Sequence, residues 1–219
     1  MPEGGSPPAL VLFDLDGTLA DTFPDLLWAL RRALEERGLP PPEAGAVRAR
    51  VSQGGRSMTE CTAAGGSADA EPVHHRFLEL YGQNVAVRTR LFPGMDRVLD
   101  TLESRGTGIG VVTSKRSCFS EPLIDALGLR ARLACLVSGD GTPRSKPHPD
   151  PLLHAAREAG TPAGRCVYVG DARNDVLAAR AAGMGAAVAT YGYLPPGEDP
   201  ALWQADVLLA EPVALLDWL

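Results

Sequence analysis

Short apolar runs that stop abruptly at acidic, hydroxyl or glycine residues are what most constrain the fold of this 219-residue chain. Ala9 to Phe13 runs into Asp14, Gly108 to Val112 into Thr113, and Cys166 to Val169 into Gly170 and Asp171. Ala134 to Val137 and Ala186 to Ala189 are runs of the same kind. Apolar residues in a row, without polar alternation, suit a strand buried on both faces of a parallel sheet. Helical periodicity lies between the runs, near 94–105, 117–127, 149–159 and 173–182. Strands alternating with helices predict an α/β fold with a doubly wound parallel sheet, in which ligands bind beyond the carboxyl ends of the strands.

From Asp21 to Leu91 the pattern changes. Helical periodicity continues in Phe23 to Glu36 and in Val73 to Val87, without any strand run. Pro40-Pro41-Pro42, Gly54-Gly55 and Gly65-Gly66 punctuate the stretch into about four helices. The expected organisation is a core of residues 1–20 and 92–219, with residues 21–91 inserted as a small helical cap. Leu19 to Thr22 and Leu91 to Gly94 would be the two crossings on which that cap closes over the sheet edge.

Composition narrows the partners. Hydrophobic residues at 45% and charged residues at 22% describe an ordinary folded protein rather than a disordered one. A formal net charge of -6 disfavours nucleic acid. Met1 to Pro8 lacks the basic start of a secretory signal, and no apolar stretch is long enough to span a membrane. The expectation is a cytoplasmic monomer or homodimer that handles a small molecule. Cys61, Cys118, Cys135 and Cys166 lie far apart with no CxxC pair, which predicts reduced thiols, mostly in the core.

The densest chemistry is Asp14-Leu15-Asp16-Gly17-Thr18-Leu19, directly after the first apolar run. Alternate strand residues point the same way, so Asp14 and Asp16 are expected to converge on one spot. Two carboxylates that close need a cation or a proton between them. Taken alone, an acidic turn with Gly17 at positive φ would explain the segment as well. Gly170-Asp171-Ala172-Arg173-Asn174-Asp175 follows another run and puts Asp171 and Asp175 on one face if a helix begins there, where Asp171 would equally serve as N-cap. Four carboxylates at one sheet edge are hard oxygen ligands suited to Mg2+.

Two further strand ends bring donors. Thr113-Ser114-Lys115 offers hydroxyls and backbone N–H groups for phosphate oxygens, close to a helix start. Ser145-Lys146-Pro147-His148-Pro149 holds Lys146 between turn residues near the same edge. His74, His75 and His154 fall on helices as packed or solvated side chains, and His148 belongs to the Pro-rich turn. Arg173 is expected in an ion pair with a neighbouring aspartate.

In order and spacing, Asp14-x-Asp16-Gly-Thr, Thr113, Lys146 and Gly-Asp171-x-x-x-Asp175 resemble the motifs of the haloacid dehalogenase-like phosphatases, over nearly the whole chain. The resemblance implies a Rossmann-like core, with Asp14 as the nucleophile that becomes a phospho-aspartate. It makes Asp16 the acid for the leaving oxygen and later the base for water, Thr113 a phosphoryl ligand, and Lys146 the cation beside Asp14. Mg2+ would be held by Asp14, the backbone carbonyl of Asp16 and Asp171, with Asp175 supporting them from behind. An acid at position 16 also separates phosphatases and phosphomutases from the family's dehalogenases and transport ATPases. Receiver domains share an acidic pocket, a Thr and a Lys, but carry their phosphoacceptor on a separate strand and lack a helical insert.

Closer likeness is to the phosphoglycolate phosphatases, and among them to the bacterial N-acetylmuramic acid 6-phosphate phosphatases. Leu91-Phe92-Pro93-Gly94-Met95, Val112 to Lys115, Arg144 to Pro147 and Tyr191-Gly192-Tyr193 carry it, with Gly197 to Asp206 leaning to the second group. The implied substrate is a small phosphate monoester with a carboxylate on its leaving group; a mutase of the beta-phosphoglucomutase type is the alternative. Thr113, Ser114 and Lys115 are the expected substrate contacts in the core. In the cap, the Gly55 backbone would approach the ligand, and Arg56 would grip the carboxylate in two places. A helix stop followed by a solvated arginine would give the same residues.

Overall fold

Leu10-Val11-Leu12-Phe13 has no polar side chain to turn toward water, and as β1 (Leu10–Phe13) it takes the middle of a sheet and is wholly buried. The computed structural model describes residues 7–219, so most of the N-terminal tail on which the signal-peptide reading rests lies outside it. After β1 come β2 (Ala20–Asp21), α1 (Phe23–Glu35), α2 (Ala44–Arg48), α3 (Gly55–Glu60), α4 (Ala70–Gly82) and β3 (Arg90–Leu91). The remainder alternates: α5 (Met95–Ser104), β4 (Gly108–Val112), α6 (Ser117–Ala126), β5 (Cys135–Val137), α7 (Asp150–Glu158), β6 (Cys166–Gly170), α8 (Arg173–Ala181), β7 (Gly185–Ala189), β8 (Val207–Leu209) and α9 (Ala214–Trp218).

Six strands pair in parallel in the order β5-β4-β1-β6-β7-β8. The chain builds outward from β1 through β4 to β5, then crosses back to the other flank at β6. The strand order therefore reverses around β1, which is where an open parallel sheet leaves a crevice at its carboxyl edge. Successive β1 residues face opposite layers. Val11 and Phe13 pack with Val98 and Leu102 of α5, Leu123 and Ile124 of α6 and Leu215 of α9, while Leu10 and Leu12 pack with Leu152 of α7 and Val176 of α8. This is the predicted doubly wound sheet, with helices on both faces.

The short strands β2 and β3 pair antiparallel, Ala20 with Leu91 and Asp21 with Arg90, so the chain leaves and re-enters the core along one ribbon. Between them lie α1 to α4 and a single turn of 3-10 helix at Val51–Gln53. Helix α1 packs along α4. Asp25 of α1, fully buried, accepts the N–H groups of Arg88 and Thr89 and the Thr89 hydroxyl, which fixes the returning strand to the departing helix. The helix expected over Val73 to Val87 ends at Gly82, and the chain beyond it runs to Arg88 and Thr89 in this clamp.

Two expectations need correction. Only Cys135 and Cys166 are buried; Cys118 is exposed and Cys61 half-buried, all four being free thiols. Cys118 sits in the first turn of α6, where the apolar face turned to the core begins further along, at Leu123. Second, β8 and α9 had no counterpart among the apolar runs and periodic stretches. No described helix is long and apolar enough to cross a membrane.

Candidate active site

Immediately after β1 the chain closes a tight turn in which the Leu19 N–H donates to the Asp14 carbonyl and the Gly17 N–H to the Ala20 carbonyl. Gly17 stands at φ +83°, and a Cβ there would lie 2.2 Å from Asp171 Oδ2. Gly192 opposite it is as tightly placed, since a Cβ would meet the Gly17 carbonyl oxygen at 2.3 Å. The two glycines let three chain segments meet around Asp171. Its Oδ2 accepts the Tyr193 N–H at 2.7 Å, and the Ser52 hydroxyl lies 3.2 Å from Oδ1.

Asp14, Asp171 and Asp175, all buried, each bring a carboxylate oxygen within 4.8 Å of the others. Lys146 Nζ stands among them, 3.1 Å from Asp14 Oδ1 and 2.7 Å from Asp175 Oδ1. It also donates to the Tyr168 hydroxyl at 2.8 Å, and that hydroxyl passes its own proton to the Val112 carbonyl at 2.7 Å. Asp175 is fully engaged, because its Oδ2 accepts the Ala172 N–H at 2.9 Å. Asp14 Oδ1 has no hydrogen-bond partner among the described residues.

Charge is out of balance here. Burial pushes the Asp14 carboxyl up to about 6, against the pull of Lys146 and with Asp175 and Asp16 adding to the rise. Burial likewise lifts Asp171 well above the carboxylate range, reinforced by Asp14 and Asp175. Burial opposes the Lys146 charge too, but Asp14 and Asp175 outweigh it and hold the ammonium firmly protonated. One cation facing three buried carboxylates leaves a deficit that a hard divalent ion would fill. The oxygens left for it are the orphaned Asp14 Oδ1 and Asp171 Oδ1, together with the Asp16 carbonyl, which accepts none of the hydrogen bonds that close the turn. These residues fit such an ion.

The Asp16 carboxylate does not join this cluster. The strand stops at Phe13, so strand alternation does not carry on to position 16. Instead the Thr22 hydroxyl donates to Asp16 Oδ1, and Lys115 Nζ lies 3.1 Å from the same oxygen. Lys115 is itself held by the Tyr81 hydroxyl of α4 at 3.0 Å and lies over that ring, 4.6 Å from its centroid. Burial opposes its charge, and Asp16 and Tyr81 overcome it. Helix α8 begins at Arg173, as the periodicity near 173–182 predicts, with Ala172 as its N-cap and Asp175 its third residue, so the alternative of Asp171 as N-cap does not hold. Arg173 is exposed and forms no ion pair among the described residues, since the aspartates beside it turn inward.

Above the carboxylates a cavity of about 230 Å³ opens between α3, α4 and the core. Asp14, Asp175, Lys146 and Thr113 floor it, and Met58, Phe77, Tyr81 and Phe119 give it an apolar wall. Ser114, Lys115, Gly55 and Arg56 line it as well. The Thr113 N–H is spent on the Val137 carbonyl, and its Oγ1 accepts the Lys115 N–H at 3.2 Å, so its hydroxyl proton stays free. Arg56 reaches outward to Glu71 at 3.0 Å, both side chains being more than half exposed (61% and 57%). Gly54, not Gly55, takes the positive φ of that turn, at +91°.

Several side chains that organise the site were not found from sequence. Tyr168 steadies Lys146, the Tyr193 N–H and Ser52 hold Asp171, Thr22 and Tyr81 hold Asp16 and Lys115, and Arg48 of α2 donates to the Gly192 carbonyl at 2.9 Å. Apart from Thr22, six residues from Asp16, each contact spans a long stretch of chain. The one signal available was a hydroxyl-bearing ring in an otherwise apolar strand, at Tyr168.

The reversal point of the sheet gathers a buried carboxylate 3.1 Å from a lysine, a threonine hydroxyl and oxygens that suit a hard cation, groups fitted to phosphoryl chemistry. The haloacid dehalogenase-like hydrolase model matches residues 11–189, and the chain belongs to that family. It is 43% identical over 209 residues to a phosphoglycolate phosphatase of Xanthomonas campestris pv. campestris (strain 8004), covering 95% of each chain. It is 40% identical over 210 residues to the N-acetylmuramic acid 6-phosphate phosphatase of Pseudomonas aeruginosa, covering 94% of this chain and 92% of that one. A crystal structure of a predicted phosphoglycolate phosphatase from Haemophilus somnus 129pt superposes with a TM-score of 0.88 at 26% identity, over 98% of this chain and 99% of the other.

Proposed function

We propose that this chain is a cytoplasmic, Mg2+-dependent phosphatase that hydrolyses a small, carboxylate-bearing phosphate monoester of the phosphoglycolate or N-acetylmuramic acid 6-phosphate type through a phospho-aspartate on Asp14. The observation that carries the reading is Asp14 Oδ1, buried at the cavity floor with no hydrogen bond among the described residues and 3.1 Å from Lys146 Nζ. With Oδ1 left to the cation, the second oxygen of this cavity-lining carboxylate is the one available for attack on phosphorus. Attack forms an O–P bond and breaks the bond to the leaving oxygen, splitting one slow hydrolysis into two easier steps.

Asp16 lies on the other side of the turn and gives the leaving oxygen its proton, then takes one from the water that cleaves the phospho-aspartate. Lys115 and Thr22 fix that carboxylate in place. The Thr113 hydroxyl, with its proton free, and Lys146 hold phosphoryl oxygens as donors fixed in place before the substrate arrives. Mg2+, bound by Asp14, Asp171 and the Asp16 carbonyl, would supply charge that stabilises the phosphoryl oxygens. Asp175 serves by orienting Lys146 rather than by ligation, since both its oxygens are taken.

Arg56 and Arg116, both at the cavity, are the cations from which the leaving group's carboxylate would be read, Arg56 by exchanging Glu71 for substrate. Phosphate release should be measured on phosphoglycolate, N-acetylmuramic acid 6-phosphate, common sugar phosphates and 4-nitrophenyl phosphate. The expected result is turnover that chelator abolishes and Mg2+ restores, with a carboxylate-bearing ester preferred. Full activity in excess chelator, or none on any ester, would contradict the proposal.

A further inference from the structure

His74 of α4 lines the cavity beside Gly55 and Arg56, and its ring is held in one orientation. The Thr59 hydroxyl lies 3.3 Å from His74 Nδ1 and donates its single proton to the Gly55 carbonyl at 3.1 Å. A hydroxyl carries one proton and can spend it once. Both contacts are satisfied at once only when Thr59 accepts from His74, and that arrangement puts the proton between them on Nδ1. Burial, and the nearby Arg56 charge after it, depress the imidazole pKa below its ordinary value against the pull of Glu71, which favours the neutral ring. In a neutral ring with Nδ1 protonated, Nε2 is a bare acceptor, and it makes no hydrogen bond among the described residues.

We infer that His74 Nε2 is a specificity-determining acceptor for a hydroxyl or amide N–H on the leaving group, so that the preferred substrate class is phosphorylated sugars or amido sugars rather than simple 2-carbon acids. This rests on the phosphatase reading above and narrows it. The apolar wall formed by Met58, Phe77 and Phe119 suits the carbon faces of a ring, whereas glycolate offers little to cover it and no donor for Nε2. A site built around such an acceptor penalises a ligand that leaves it unpaired.

The ring can be checked directly. Histidine ¹⁵N spectra of the metal-free protein near neutral pH should show His74 with Nδ1 protonated and Nε2 bare; the opposite tautomer or an imidazolium would overturn the inference. Kinetics supply the second arm, with N-acetylglucosamine 6-phosphate and 4-nitrophenyl phosphate as probes. His74→Leu should lower kcat/KM for the sugar phosphate by about tenfold, the scale of one hydrogen bond, and by at least five times more than for the aryl ester. His74→Gln, which keeps an acceptor and guards against misfolding, should recover part of that loss. Equal losses on both probes, no loss on the sugar phosphate, or a wild-type enzyme that turns over only the aryl ester would overturn the inference while leaving the phosphatase reading intact. No turnover of either probe by an enzyme active on phosphoglycolate would overturn the inference alone, and no turnover of any ester would remove both.

Discussion

Asp14 carries a conflict that can be measured without substrate. A carboxyl whose pKa is raised by folding, here to about 6 from an ordinary 3.8, disfavours the folded state once it ionises. The penalty is absent below about pH 4, grows between the two pKa values and is full above about pH 6, where the shift corresponds to about 3 kcal/mol. Asp14→Asn removes the charge at nearly constant shape. In chelator, therefore, the variant should equal the wild type at pH 4 and exceed it by about 3 kcal/mol at pH 7 in urea unfolding, with Mg2+ erasing the gain. A stability difference that does not change with pH would show that the carboxyl is not desolvated as described. Asp14 was visible in sequence because a carboxylate at the end of an apolar run has few structural uses; the split between Asp14 and Asp16 was not, because it depends on where the strand stops.

Between β1 and β2 the turn works as an element only if Gly17 stays at φ +83° with nothing on its α-carbon. Gly17→Ala should destabilise the chain by about 2 kcal/mol or more, combining left-handed strain with displacement of Asp171. Thermal unfolding with and without Mg2+ checks both parts: the variant should melt lower and lose most of its Mg2+-induced rise, whereas a normal rise would show that Asp171 tolerates the intruding methyl. Apolar runs made the central strands legible, since a strand covered on both faces must be apolar throughout. The edge strand β8, only Val207–Leu209 with Leu208 exposed, has no such requirement and left no signal. Contacts such as Ser52 with Asp171 were invisible for another reason: they join residues 119 apart in sequence and exist only once the insertion folds onto the sheet.

At the scale of the whole molecule, α1 to α4 cover the carboxyl edge of the sheet and meet it at the residues proposed to react. Tyr81 reaches Lys115, Ser52 reaches Asp171, and Arg48 lies over the Tyr193 ring while bonding the Gly192 carbonyl. The inserted helices thus touch both the residue proposed as general acid, through its lysine, and the residue proposed as metal ligand. On the proposed mechanism, docking of the insertion and assembly of the site would be one event, and would keep water from a phospho-aspartate until Asp16 is in place to direct it. Everything turns on Asp14 as the group that accepts the phosphoryl. The decisive measurement is kcat for Asp14→Asn, in saturating Mg2+ and on the best ester found, with a cooperative melting transition showing that the variant is folded. An amide is a poor nucleophile, and kcat should fall by at least a thousandfold, about 4 kcal/mol of barrier. A folded Asp14→Asn protein that keeps more than about a tenth of the wild-type rate would contradict the covalent mechanism outright.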